Sequence, residues 1–348
     1  MFLCDTVKPF LIMKEFYITY IMERKMGKKV EIYQLTPNKN VLMQCQVIKT
    51  KNDKIIVIDG GYYDEQYCYY IHSAIRAILG LKQNDYFEIE CWILTHDHED
   101  HLGEMGLQFE KYTKESNFKV NNIYFDFADI TKMNYGDGKE MLPWNERFIK
   151  ALDNYAKVNG IQILSDSFYN DINGKFINKE NIDKGCSIVI DGIEIEFLQT
   201  YDTLDEIINS SSLVFKMTVK DDDYSQSVMF LGDTSVQSGK RLLETVEHKK
   251  LKSDIVQMAH HGNWACEKQV YDTIDAKVRL WPTPLWVWNG DKNRFDIHKV
   301  CSWFNTTGSS KNDIISCLYE EYPTDRTSVE DWKKVISKMK ITLPYNLY

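Results

Sequence analysis

The run His96-x-His98-x-Asp100-His101 constrains this chain more than any other feature, because it places three of its eight histidines and an aspartate within six residues. Two imidazoles two residues apart on an extended loop can grip one cation. The carboxylate and imidazole that follow can turn toward a second cation beside it. The bland alternative is a polar loop, against which the order and density of the set weigh. The run needs a strand before it and a helix after it, and both are legible: Glu88–Thr95 alternates as a strand, and Leu102 to Lys114 makes the next helix.

Around this run the chain alternates strand, loop and helix, so the fold class is α/β. Strands are expected at Val30–Leu35, Met43–Thr50 and Lys54–Ile58, the last ending in Asp59-Gly60-Gly61. A helix with apolar residues at Cys68, Ile71, Ala74, Ile75, Ile78 and Leu79 stops at Gly80. After the strand Val120–Phe127, residues 128–185 are polar and irregular, with a helix at Asn145–Val158, and read as an insertion over the core. Asp191-Gly192 joins the strands Ser187–Ile190 and Ile193–Gln199 as a hairpin. Further strands follow at Leu213–Val219, Ser227–Leu231, Asp254–Ala259 and Val278–Trp281, with a helix near Gly239–Glu247. Residues 1–25 read as a loosely attached segment, 26–320 as the domain, and 321–348 as a C-terminal helix and tail.

Lys plus Arg at 42 against Asp plus Glu at 51 gives a net charge of −9, so the whole-protein field attracts neither nucleic acid nor an anionic membrane. Lys14 and Glu15 interrupt the apolar stretch Phe10 to Met22 and Glu23 ends it, so neither an export signal nor a membrane span is expected there. The eight cysteines contain no C-x-x-C pair, which fits a reducing, cytoplasmic setting.

Asp59 at a strand end, His96-x-His98-x-Asp100-His101, and then Gly232-Asp233 resemble the metallo-β-lactamase superfamily of metal-dependent hydrolases. The resemblance covers roughly residues 30 to 305. It implies an αββα sandwich with the metals at one edge of two facing sheets. Within the superfamily, Ser211–Val214, Phe230-Leu231-Gly232-Asp233, Asp254–Gly262 and Asn293-Arg294-Phe295-x-x-His298 are most similar to the soluble domain of ComEC-type competence proteins. That branch often has aspartate where this chain has His98. A larger departure is the histidine that the superfamily usually supplies to the first metal between His101 and Asp233. None occurs here, and Asn209, Ser210 or Ser211 stands where it is expected.

Asp233 is expected to bridge two cations, with Gly232 admitting its backbone to the site. Asp59 is expected to orient a histidine ligand. For the second metal the last ligand is expected to be His298, which follows the final core strand by a loop. His260 and His261 can be ligands, substrate-binding groups or a core histidine with a surface neighbour; with His298 as the ligand, one of them, His261 preferred beside Gly262, is expected to face the substrate as an acid for the leaving group. His72 and His248 read as structural or surface residues, and Trp281–Trp288 as packing.

These expectations add up to a hydrolase using one or two zinc ions, or manganese in their place, with Asp100 orienting or deprotonating water. The resemblance implies a phosphodiester substrate. The negative charge narrows it to a small nucleotide or short single strand, held by Lys240, Arg241, Lys292 or Arg294, since no basic track for long duplex DNA is evident. The alternatives are a lactam, lactone or thioester hydrolase and a non-catalytic metal-binding module.

Overall fold

Ile55–Ile58 (β3) is apolar at every position and buried on both faces. The computed structural model, which describes residues 28–35, 41–127, 136–159, 186–202, 204–205, 207–290, 296–308, 310–318 and 322–347, shows what covers each face. Ile56 and Ile58 point into a layer shared with Ile195, Phe215 and Val228 of a second sheet. Ile55 and Val57 point the other way, into a cluster with Ile71, Met105 and Trp332 from helices. Period-two side-chain alternation thus commits one strand to two cores.

The first sheet runs β15 (Lys340–Leu343), β1 (Val30–Gln34), β2 (Gln46–Lys49), β3, β5 (Cys91–Ile93) and β7 (Ile123–Tyr124). The second runs β14 (Asp313–Ile315), β13 (Val278–Trp281), β12 (Ile255–Gln257), β11 (Tyr224–Phe230), β10 (Val214–Asp221), β9 (Ile193–Gln199) and β8 (Ser187–Ile190). A separate ribbon pairs β4 (Phe87–Ile89) with β6 (Phe118–Val120). Helices α1 (Tyr70–Ile78), α2 (Glu99–Glu110), α3 (Gly136–Asn159) and α7 (Val329–Val335) cover the outside of the first sheet. Helices α4 (Val236–Thr245), α5 (Lys268–Ile274) and α6 (Ile297–Phe304) cover the outside of the second through Leu242, Val270 and Val300. The architecture is an αββα sandwich, as expected.

Parallel pairing positions the site. β3 and β5 are parallel, with Ile58 opposite Ile93, and β11 and β12 are parallel, with Val228 opposite Ile255. Their carboxyl ends therefore release Asp59, the histidine run, Gly232-Asp233 and His260-His261 at neighbouring strand ends, the usual place for a site in such sheets.

Several boundaries differ from the sequence-based expectation. Glu88–Thr95 is two strands, β4 and β5, and Val120–Phe127 is likewise split into β6 and β7. Polar residues make the break: Asn122 Nδ2 donates to the Glu90 carbonyl, and Asn121 Nδ2 to Glu88. Asp191 (φ 53°) and Gly192 (φ 81°) both take the left-handed conformation their hairpin requires. The C-terminal segment is more than a helix and tail. Trp332 of α7 is fully buried, and β15 pairs antiparallel with β1 as the edge of the first sheet. Of the expected insertion, α3 packs Phe148, Leu152 and Tyr155 onto the outer layer of the first sheet; the rest of 128–185 and residues 1–25 lie outside the described residues.

Candidate metal centre

Leu94 continues β5 into a loop that carries His96 and leaves His98 as the residue capping α2, so Asp100 and His101 fall in that helix's first turn. The helix seats closely on the end of β3. A Cβ on Gly60 would lie 2.6 Å from Met105 Cβ, and the Gly60 amide donates to the His101 carbonyl. Gly232 (φ 54°) brings Asp233 in from β11, its backbone pressed against Thr95 and Ser212. Beyond β12, His260 (φ 53°) and His261 (φ 57°) are both left-handed, followed by Gly262 (φ 84°).

These four strand ends assemble two clusters of donor atoms, His96, His98 and Asp233 in one and Asp100, His101 and His261 in the other. In the first, His96 Nε2 is 3.0 Å from His98 Nδ1 and 3.9 Å from Asp233 Oδ2. In the second, His261 Nε2 is 3.0 Å from Asp100 Oδ2. Asp233 reaches across, with Oδ1 3.2 Å from His101 Nε2 and Oδ2 3.7 Å from His261 Nε2.

The far ring nitrogens are fixed from behind. His101 Nδ1 lies 2.8 Å from Asp59 Oδ2, and His261 Nδ1 donates to the Pro282 carbonyl at 3.1 Å. Each ring therefore turns Nε2 toward the cluster, the arrangement that prepares imidazole for a metal. Asp59 is itself held by Thr95, through N and Oγ1, and by Gln44 Nε2.

The donors fit a divalent cation. His101 Nε2, His261 Nε2 and Asp233 Oδ1 are buried; the first meets Asp233 Oδ1 at 3.2 Å and the second Asp100 Oδ2 at 3.0 Å as ion-pair contacts without good hydrogen-bond alignment, a cluster of lone pairs that a shared cation would satisfy. Burial, helped by the charge on His101, holds His96 well below the usual histidine range and keeps it neutral. For His101 burial acts the same way, but Asp233, Asp59 and Asp100 outweigh it and raise its pKa well above that range. Burial would raise Asp233 and Asp100, yet His101 and His261 hold both carboxyls below the usual range. Protons on imidazole thus balance a buried anionic site, and a metal ion binding there displaces them.

Of the residues singled out from sequence, His96, His98, Asp100, His101 and Asp233 meet in the clusters, and Asp59 contacts His101. His298 does not join them. Helix α6 buries Ile297 and Val300, which turns His298 out to solvent beside Gly290. His261 stands in the second cluster instead, so the two expected roles of His298 and His261 do not follow the sequence-based assignment. His260 Nε2 lies 3.9 Å from Asp233 Oδ2 at the rim. His72 is packed among Phe87 and Phe118, and His248 is exposed. Trp281 is fully buried beneath Gly262 and donates to Asp313, which is packing.

Sequence reasoning missed Thr95, Ser212, which accepts from the Asp233 amide, and Gln257, which accepts from the amides of Leu231 and Gly232. No local pattern marks them, since each acts on a residue brought near by sheet pairing. Beside His260 opens a cleft of about 440 Å³ walled by Ile207, Val236, Trp264 and Ala265, with Asn209 and Gln237 among its polar members. Among the described residues lining it, none is a lysine or arginine.

No protein-family model matches the chain, and no curated protein matches it in sequence. Solved structures similar to it include CmlA, a diiron β-hydroxylase from Streptomyces venezuelae, at 11% identity and TM-score 0.37 over 91% of this chain and 54% of CmlA. Others are the metallo-β-lactamase GOB-18 from Elizabethkingia meningoseptica (18%, TM-score 0.35, 62% of this chain and 69% of that one) and MEM-A1, a subclass B3 metallo-β-lactamase from a soil metagenome library (9%, TM-score 0.34, 90% and 93%). The chain spans about half the length of CmlA. At these TM-scores the likeness assigns no chemistry, which rests on the side chains described above.

Proposed function

We propose that this chain is a metal-dependent hydrolase that opens a carbonyl substrate of the lactam, lactone or thioester class. The observation that carries the hydrolase reading is Asp233, one carboxylate in reach of both clusters, at 3.9 Å from His96 and 3.2 Å from His101. His96, His98 and Asp233 would hold one ion, and Asp100, His101, His261 and Asp233 the other, with zinc suited to the imidazoles and manganese to the carboxylates. Ions bound there would acidify water to a pKa of about 7 and would offset negative charge gathering on the substrate's oxygen. Asp100 accepts the water's proton as its oxygen bonds the carbonyl carbon. The C–N, C–O or C–S bond then breaks and the proton passes to the departing atom. Nδ1 of His261 is occupied by Pro282 and its Nε2 faces Asp100, so we assign His261 to the ion rather than to the leaving group.

The lining of the cleft supports a carbonyl substrate. Of the cations expected to hold phosphate, Arg241 is committed to Asp205 and the carbonyls of Thr200 and Ser210, and Lys240 is exposed beside Glu244 and is not among the described residues that line the cleft. Lys292 and Arg294 lie outside the described residues. A phosphodiester, the bond implied by the ComEC-type resemblance, is the second reading, and the paired clusters favour it because in-line displacement needs charge offset on both attacking and leaving oxygens. A cytosolic setting is proposed from the eight cysteines, which contain no C-x-x-C pair. No described helix is long and apolar enough to cross a membrane.

Elemental analysis of the purified protein should find zinc or manganese. Turnover of a chromogenic cephalosporin, an aryl lactone or an aryl thioester should stop with chelator and return with either ion. Turnover confined to an aryl phosphodiester or cyclic dinucleotide overturns the carbonyl reading, and metal-free protein with undiminished turnover overturns the hydrolase.

A further inference from the structure

We infer that His260 is a fourth donor and the third histidine of the first cluster, replacing the histidine missing between His101 and Asp233, so that two consecutive histidines serve two different ions. The inference rests on the two-ion reading above.

Of the three side chains standing where the missing histidine was expected, Asn209 lines the cleft beside His260 with its Oδ1 buried and not hydrogen-bonded, and the two serines are engaged otherwise. Ser210 Oγ lies 2.7 Å from Ser235 Oγ, and Ser211 Oγ donates to the Ile208 carbonyl. His260 Nε2, by contrast, lies 3.9 Å from Asp233 Oδ2, the same distance from that oxygen as His96 Nε2. His261 Nε2 reaches the same oxygen at 3.7 Å. Consecutive residues of a strand point to opposite faces. Two rings from adjacent positions can converge on one carboxylate only if the backbone leaves the extended conformation, and here both residues are left-handed, at φ 53° and 57°.

That conformation is unfavourable for any residue with a Cβ and persists only where surrounding structure enforces it. The enforcement is visible. The His260 amide donates to the Gly232 carbonyl at 3.1 Å, tying the turn to the strand end that delivers Asp233. The Ala259 amide donates to Tyr271 Oη, and Gly262 accommodates Trp281 where a Cβ would lie 2.5 Å from the indole. His260 also lines the open cleft, so an ion it shares with His96, His98 and Asp233 faces the space available to substrate.

The test is His260→Gly, because glycine adopts this backbone without penalty and the loss of the ring is separated from misfolding. Zinc affinity is read by competition with a chromophoric chelator, and thermal unfolding is followed in metal-free protein. His260→Gly should keep or raise the unfolding temperature, retain one ion at wild-type affinity and bind the other at least tenfold more weakly. His261→Ala should instead weaken the ion held by Asp100 and His101. Two ions bound by His260→Gly at affinities within twofold of wild type overturn the inference and leave the two-ion reading standing. A wild-type chain that binds no zinc or manganese overturns that reading, and the inference with it.

Discussion

Asp59 Oδ2 meets His101 Nδ1 at 2.8 Å while the opposite nitrogen of the same ring lies 3.2 Å from Asp233, so one imidazole joins the end of β3 to the end of β11. Asp59 is left-handed (φ 57°), a conformation asparagine tolerates. Asp59→Asn should therefore fold. It removes the charge that sets the ring's orientation and basicity, a change that costs about 10–100-fold in metal affinity. Zinc competition measures it, and unchanged affinity would remove Asp59 from the site.

His261 stands in the cluster where His298 was expected, while His298 faces solvent, and this separates the structure from the sequence-based expectation. His261→Ala should lower bound metal, whereas His298→Ala, at an exposed position, should leave metal content and turnover at wild-type levels. Metal lost on His298→Ala with none lost on His261→Ala would restore the original assignment.

The histidine run, Asp59 and Asp233 were legible because each combines a residue type rich in chemistry with a local signal, a strand end or a glycine. The hairpin at Asp191-Gly192 was legible for the same reason. His298 misled because spacing after a strand says nothing about which way a helix turns; burial of Ile297 and Val300 decided that. The edge strand β15 was invisible beside α7 because its partner β1 lies about three hundred residues earlier. Thr95, Ser212 and Gln257 were unreadable on the same ground: their importance comes from the groups they meet across the sheets.

One group on α2 predicts how stability depends on pH. Burial raises the Glu104 pKa from its ordinary 4.5 to about 8, although Gln108 and the Tyr70 amide donate to its Oε1. A carboxyl raised on folding binds a proton that the unfolded chain has already released. Its contribution is fully present below pH 4.5 and is lost as pH rises toward 8, at up to about 1.4 kcal/mol per pH unit. Glu104→Gln should abolish this slope and raise the unfolding temperature at pH 8 relative to wild type. Parallel denaturation curves at pH 5 and 8 for both proteins decide it, and an identical pH slope for the two would exclude Glu104 as the source.

Two glycines with positive φ distinguish backbone strain from damage to the metal centre. At Gly80 (φ 72°) a Cβ would meet nothing within 4 Å, so Gly80→Ala should cost only the left-handed penalty, about 1–2 kcal/mol. At Gly232 (φ 54°) the same methyl would lie 2.9 Å from Thr95 Cβ and 3.1 Å from Ser212 Oγ. Neither neighbour can move without consequence, since Thr95 supports Asp59 through two donors and Ser212 accepts from the Asp233 amide. Gly232→Ala should thus incur the backbone penalty and lose metal affinity together, while Gly80→Ala loses stability alone. Zinc competition and chemical denaturation on the pair separate the two effects: equal metal affinity in both variants would mean that the strand end carrying Asp233 adjusts freely, and that its close packing on Thr95 does not set the site.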